Sequence, residues 1–256
     1  MPAQLVPSDK PLTSFKLLSF DVYGTLIDWE EGIYRALMAT QPFATLPAGH
    51  ELRDRKTLLK EAEKRERAVQ VANPSAEYAL VLSEAYKRLV SDYKLEAAGG
   101  VAEGAESFGN SVGAWPCFPD TLEALNRLKK HYYLVPLTNS SPDTFGASLK
   151  GPFKGFEFSA YYLATEIGSY KPDLRNFEYL LSHVKEKFGV EKDDILHVAQ
   201  SLYHDHAPAK KIGLTSAWID RQGAMGSADD AQYAWKFNTL AELADLVDDA
   251  FAKEQH

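Results

Sequence analysis

One stretch near the start constrains the chain most. Leu17, Leu18, Ser19 and Phe20 run into Asp21, and Val22 and Tyr23 then lead to Gly24, Thr25 and Leu26. A short apolar run with its first charge at the end predicts a strand buried on both faces. A carboxylate where such a strand stops lies at the mouth of an open α/β sheet, where ligands bind. Gly24 permits a tight turn there, and Thr25 places a short hydroxyl beside the acid. The plain alternative is that Asp21 only opens the turn.

The same pattern recurs further on. Residues 132–137 form a second apolar run ending at Thr138 and Asn139, and residues 195–199 and 216–219 read as further strands. Helical periodicity separates them: residues 120–128, with Leu122, Leu125 and Leu128, then 176–188, 207–212 and 240–251. A weaker strand is expected within 156–163. Alternating β and α elements argue for a parallel sheet covered on both faces, a Rossmann-like doubly wound α/β core. Residues 30–112 differ. They hold helical patterns over 29–40, 52–72 and 75–89, with no convincing strand, a break at Asn73 and Pro74, a cap at Ser75 and a hinge at Gly99 and Gly100. The division expected is a flexible lead-in over 1–14, a core from 15–29 and 113–256, and an all-helical insert over 30–112.

Composition narrows the function. The 256 residues can bury a sizeable core, and the formal net charge of −8 speaks against a broad nucleic-acid surface, which needs clustered positive charge. No apolar run approaches the roughly 20 residues that span a bilayer, and residues 1–14 lack the apolar centre of a signal peptide. Cys117 is the single cysteine, so no intrachain disulfide forms and a cytoplasmic location is the expectation. Between Pro116 and Phe118 it reads as a packed, inert thiol rather than a reactive one.

Asp21, Tyr23, Gly24, Thr25 and Leu26, followed in order by Leu137, Thr138 and Asn139 and by Tyr170, Lys171 and Pro172, resemble the haloacid dehalogenase superfamily, and its L-2-haloacid dehalogenase branch most. The resemblance runs from about Phe15 to about Arg221. It implies that the insert is a helical cap and that Asp21 is a covalent nucleophile. It implies further catalytic roles for Thr25, Lys171 and Asp205, and substrate contacts from Tyr23, Thr138, Asn139, Gln200 and Ser201. Lys171 would keep Asp21 ionised, because a nearby ammonium favours a carboxylate's charged form; the bland reading is a solvated loop lysine. Thr138 and Asn139 could equally cap the helix that follows them. An arginine or lysine of the insert, from among Arg53, Arg55, Lys60 and Arg65, would cradle halide.

The reaction turns on what is missing. Superfamily phosphatases carry a second Asp two residues after the nucleophile, where Tyr23 stands, and a carboxylate near Gln200 to help hold Mg²⁺. Without those acids, metal binding and protonation of a leaving alcohol both weaken, whereas a halide leaves without a proton. The expectation is a cofactor-free, metal-free hydrolase acting on a small anionic substrate, a short 2-haloacid, with no nucleic-acid or membrane partner. The resemblance adds a homodimer. The rivals are a Mg²⁺-dependent phosphatase and a catalytically silent binding protein. The last is suggested by Gln200 and Leu202 in place of small polar residues; Phe177, where the branch has a tyrosine, bears with them on the hydrolytic half-reaction and substrate preference. His204 and His206 form too small a set for zinc; they read as surface or helix-capping residues, with activation of water as a second role to consider.

Overall fold

The computed structural model describes residues 3–73, 76–95, 100–221 and 231–254. Pro74, Ser75 and Gly99, expected to break, cap and hinge, lie outside them. The chain divides into two compact units, Met1–Asp28 with Cys117–Ser140 and Gly155–His256, and Trp29–Pro116 with Ser141–Lys154.

The first unit is built on strands β1 (Gln4–Leu5), β2 (Leu17–Phe20), β3 (Tyr133–Thr138), β4 (Tyr162–Leu163), β5 (Ile195–Ala199), β6 (Ser216–Ile219), β7 (Gln232–Tyr233) and β8 (Trp235–Phe237). Six form one sheet in the order β4-β3-β2-β5-β6-β8, every neighbour parallel. The order reverses about β2, which has β3 on one side and β5 on the other. That places the ends of β2, β3 and β5 at the switch point of a doubly wound sheet. Register sets Leu17 opposite Tyr133 and Ile195, and Ser19 opposite Val135 and His197.

Because successive strand side chains alternate, Leu17, Val135, Leu137 and Ile195 share one face. They form one core with Phe177, Leu180 and Val184 of the helix Leu174–Phe188 and with Ala209 of the helix Ala207–Ile212. Leu18, Phe20, Leu134, Leu196 and Val198 on the other face are as completely buried. The helices Thr121–Leu128 and Leu240–Glu254 pack on each other and bury Leu125, Leu128, Leu243 and Val247. The sequence thus encodes strands without a polar face, which only a sheet covered on both sides can accept.

Residues 3–14 depart from the loose lead-in expected of them. β1 pairs in parallel with β7, and a 3₁₀ turn at Leu12–Ser14 buries Leu12. β7 and β8, short and half-exposed, carry too little apolar pattern to be read from sequence.

The second unit is helical among its described residues: Trp29–Met38, Gln41–Ala44, Arg55–Ala72, Tyr78–Asp92, Val101–Gly109 and Pro142–Lys150. Its core gathers Leu58, Leu82, Tyr86, Leu89 and Phe108, with Tyr86 between the rings of Phe43 and Phe108. The helix Pro142–Lys150, expected in the core, belongs to this unit, and the unit boundaries fall after Asp28 and Pro116. Of the four cation candidates for cradling halide, three are engaged locally. Arg53 donates to Leu46 O at 2.8 Å, Arg55 pairs with Glu31, and buried Arg65 bridges Glu61 and Asp92 at 2.6 and 2.9 Å; Lys60 is exposed.

Candidate active site

Asp21 begins where β2 stops, and its amide still donates to Val198 O at 3.1 Å. The chain then folds back, with the amides of Thr25, Leu26 and Ile27 all donating to Val22 O, which requires Gly24 at φ 100°. The fold-back carries Thr25 Oγ1 to 2.7 Å from Asp21 Oδ2. Thr25 donates to the carboxylate and accepts from Gln200 N at 2.8 Å, so its hydroxyl direction is fixed.

Lys171 arrives from a loop after the helix Ala164–Ile167, at a cis Lys171–Pro172 bond. Its main chain is held by one side chain, because Asn139 Oδ1 accepts from Lys171 N at 2.7 Å while Asn139 Nδ2 donates to Lys171 O at 3.0 Å. Nζ then lies 2.8 Å from Asp21 Oδ1 and 2.7 Å from Asp205 Oδ1. An ammonium buried this deeply persists only between compensating charges. Burial disfavours its charge, yet Asp205 and Asp21 together hold the Lys171 pKa above its ordinary value. Burial also acts against the charge of Asp205, and the Lys171 ammonium and the His197 hydrogen bond overcome it, leaving that carboxyl well below the usual range. Of the three side chains, only that of Asp21 reaches solvent appreciably, at 11 % exposure against 1 % for Lys171 and 0 % for Asp205.

The remaining expected residues fall into two groups. Thr138 ends β3, buried, and Tyr23 sits half-buried in the turn beyond Asp21. Gln200 follows β5, where its carbonyl accepts from Trp218 Nε1 at 2.9 Å and its side chain is partly exposed. Asn139 and Ser201 each hold part of the site's own main chain. Asn139 commits both ends of its amide to the Lys171 backbone. Ser201 Oγ accepts from His204 N at 3.1 Å, capping a π-helical turn over Leu202–His206.

That turn also corrects the reading of the two histidines. His206 is not on the surface; it is fully buried, with Nε2 at 2.9 Å from Ala199 O and Nδ1 at 2.8 Å from Ser216 Oγ. Neither nitrogen is available to activate water. Burial pushes the His206 imidazole down to about 4, from 6.5. The unfolded chain therefore takes up a proton near pH 6.5 that the folded chain refuses until about pH 4. Stability from this group is complete above pH 6.5 and falls by about 3 kcal/mol as the pH drops through that window. Urea unfolding across the window should show the slope, and His206→Gln, which gains no charge, should flatten it. An equal slope in the variant would remove His206 as its source.

Sequence reasoning missed four residues. Ser19 and His197 lie behind Asp205, joined by hydrogen bonds. Arg221, buried, donates from Nη2 to Thr25 O at 2.9 Å and from Nη1 to Asp120 Oδ1 at 2.8 Å, with its guanidinium 4.0 Å from the Phe118 ring centre. Asp120 starts the helix Thr121–Leu128 as expected, but its side chain serves another helix: Oδ2 accepts from Leu240 N and Ala241 N, at 2.6 and 3.2 Å, capping the helix Leu240–Glu254. A polar residue inside an apolar strand was the available signal for Ser19 and His197. Cys117 matches its expected inertness, since burial and then Asp120 push its thiol up to about 12.

The model of the haloacid dehalogenase-like hydrolases matches residues 15–213. The chain belongs to that family. The match spans Asp21, Asn139, Lys171 and Asp205, and membership makes the protein a hydrolase. Solved structures give the same fold at low identity. A defluorinating L-2-haloacid dehalogenase superposes with a TM-score of 0.74 at 18 % identity, over 95 % of this chain and 100 % of its own. The L-2-haloacid dehalogenase of Xanthobacter autotrophicus gives 0.70 at 19 %, over 92 % and 99 %. A putative hydrolase of the family from Bacillus subtilis, bound to magnesium, gives 0.69 at 16 %, over 91 % and 98 %. No curated protein sequence matches.

Magnesium is a cofactor the family raises, and this donor set fits it poorly. Mg²⁺ takes oxygen ligands in a near-octahedral set. Here the gap between the two carboxylates holds the Lys171 ammonium, and positions 23 and 200 supply a phenol and an amide. Among the described residues, no cluster of three or more His, Cys, Asp or Glu side chains is placed to hold a metal, and no helix is long and apolar enough to cross a membrane.

Proposed function

We propose that the protein hydrolyses short 2-haloacids through an ester on Asp21. The observation that carries this reading is a buried ion pair of which only the Asp21 carboxylate reaches solvent, at 11 % exposure. Asp21 is held by Thr25 and Lys171 at 2.7 and 2.8 Å, with no second acid at position 23. A carboxylate oxygen of Asp21 attacks Cα of the haloacid, the carbon–halogen bond breaks, and halide leaves with the bonding pair. Water then adds to the Asp21 carbonyl carbon. The acyl–oxygen bond breaks, a 2-hydroxyacid departs, and one proton passes to solvent. Direct displacement followed by acyl–oxygen cleavage inverts Cα. Lys171 holds the attacking carboxylate in place and attracts the anionic substrate. The small acid substrate, a helical-cap role for the second unit, a homodimer and a cytoplasmic setting belong to the same proposal.

A single turnover in ¹⁸O-labelled water tests it. The first product should carry unlabelled oxygen taken from Asp21, and the label should appear in the Asp21 carboxyl. Halide release without labelled enzyme would replace the ester by direct attack of water. A panel of chloro-, bromo- and fluoroacids beside phosphate monoesters separates the rivals: phosphate release that requires Mg²⁺ would replace the reading by the phosphatase, and no product from either class would favour a binding protein. Chelator should leave haloacid turnover within about twofold of the untreated rate, because no step passes through a metal. Loss of activity with recovery on adding Mg²⁺ would overturn that expectation.

A further inference from the structure

Behind Lys171 lies a polar line to which the proposed reaction gives no part. Ser19 and His197 are register partners on β2 and β5, both fully buried, on the face that packs against the helix Leu174–Phe188. His197 Nε2 is 2.9 Å from Asp205 Oδ1, and Nδ1 is 2.8 Å from Ser19 Oγ. Phe177 packs edge-on against the ring, with centroids 5.4 Å apart. An ionised carboxylate only accepts, so the bond to Asp205 needs a proton on Nε2. In the neutral ring Nδ1 then accepts from the Ser19 hydroxyl.

Asp205 Oδ1 therefore accepts from two buried donors, Lys171 Nζ at 2.7 Å and His197 Nε2 at 2.9 Å. Oδ2 has no hydrogen-bond partner among the described residues. With both bonds on one oxygen, the rotation of the carboxylate depends on both donors. Without His197, Lys171 is the sole tether, and Asp205 is free to turn either oxygen toward it.

We propose that His197 is a positioning residue: it holds Asp205 from behind, and through Asp205 fixes the Lys171 ammonium against Asp21. Its effect on turnover rests on the haloacid reading; its ring geometry does not. His197→Phe keeps an aromatic ring and removes both bonds. His197→Gln returns an amide N–H near the place of Nε2–H, whereas His197→Asn returns one only near Nδ1.

With 2-chloropropionate, His197→Phe should lower kcat about 10- to 100-fold, the scale of one hydrogen bond to a charged group, with KM within about twofold. His197→Gln should recover to within about fivefold of the parent, and His197→Asn should not. If the ring only fills space, damage will follow melting temperature and His197→Gln will be worse than His197→Phe; that order overturns the proposal. Should His197→Phe fail to fold, the Gln and Asn pair decides alone. A second measurement needs no substrate. Nitrogen-15 spectra of the parent protein at neutral pH should place a proton on His197 Nε2, and a ring protonated only on Nδ1 would overturn the proposal. Absence of halide release from the parent would sink the haloacid reading, and the ring measurement would still decide His197.

Discussion

Asp21→Asn ends turnover, by about 10⁴-fold or more, the scale set by losing a covalent nucleophile. The amide keeps the shape of the acid but cannot attack carbon. The fold should survive, because Lys171 retains Asp205 at 2.7 Å and the new side chain can still present an oxygen to Nζ. Its amide nitrogen then faces Thr25 Oγ1, which must accept where it had donated. Halide release at the parent rate, in a preparation shown by mass to retain the amide, would remove Asp21 from the mechanism. The mass control matters, because slow deamidation would regenerate the acid.

Lys171→Met should cost both activity and stability. The thioether preserves the stem and removes the one cation between two carboxylates of which one is fully buried and the other nearly so. Turnover should fall by about 100-fold or more, since the attacking group loses its electrostatic support. Stability at neutral pH should fall by about 3–5 kcal/mol, the usual result of stranding a buried charge. The pH dependence has a definite sign. In the parent, Asp205 has a lowered pKa, so its contribution is present above the ordinary carboxylate range and is lost as the pH falls through the folded value. Lys171 has a raised pKa, so its contribution is complete below the ordinary lysine value and is lost as the pH climbs through the folded one. In the variant, burial acts on Asp205 against His197 alone, and the carboxyl takes up a proton more readily. The stability gap between parent and variant should therefore narrow on acidification. A gap that stays constant from neutral pH to about pH 3 would show that the buried carboxylates are not its origin.

The legible part of this site consists of residues that end apolar runs. Asp21 and Asn139 each follow a strand without a polar face. In a parallel sheet such ends share one edge, so their meeting follows from pattern and topology together. Lys171 was legible through its neighbours Tyr170 and Pro172 and the order of the motifs. Other features depend on facts that sequence does not carry. Ser19 and His197 meet because the register sets them opposite each other, and register belongs to the assembled sheet. The double bond of Asn139 to the Lys171 backbone is set by the position of a loop more than thirty residues on. His206 was misplaced because a π-helical turn follows Ser201, and that turn sends neighbouring histidines to different surroundings. β7 and β8 bury too little to leave a period.

The clamp formed by Arg221 and Asp120 bears on how the protein can be handled. From Asp21 the hydrogen bonds run through Thr25 to Arg221, on to Asp120, and from there to the first amides of the helix Leu240–Glu254. In the chain these groups are far apart; in space they are successive neighbours. Trimming that helix, or pulling on it with a fused partner, would be transmitted to the hydroxyl that steers the proposed nucleophile. A segment that looks like a convenient handle is thus one end of a lever whose other end is the chemistry.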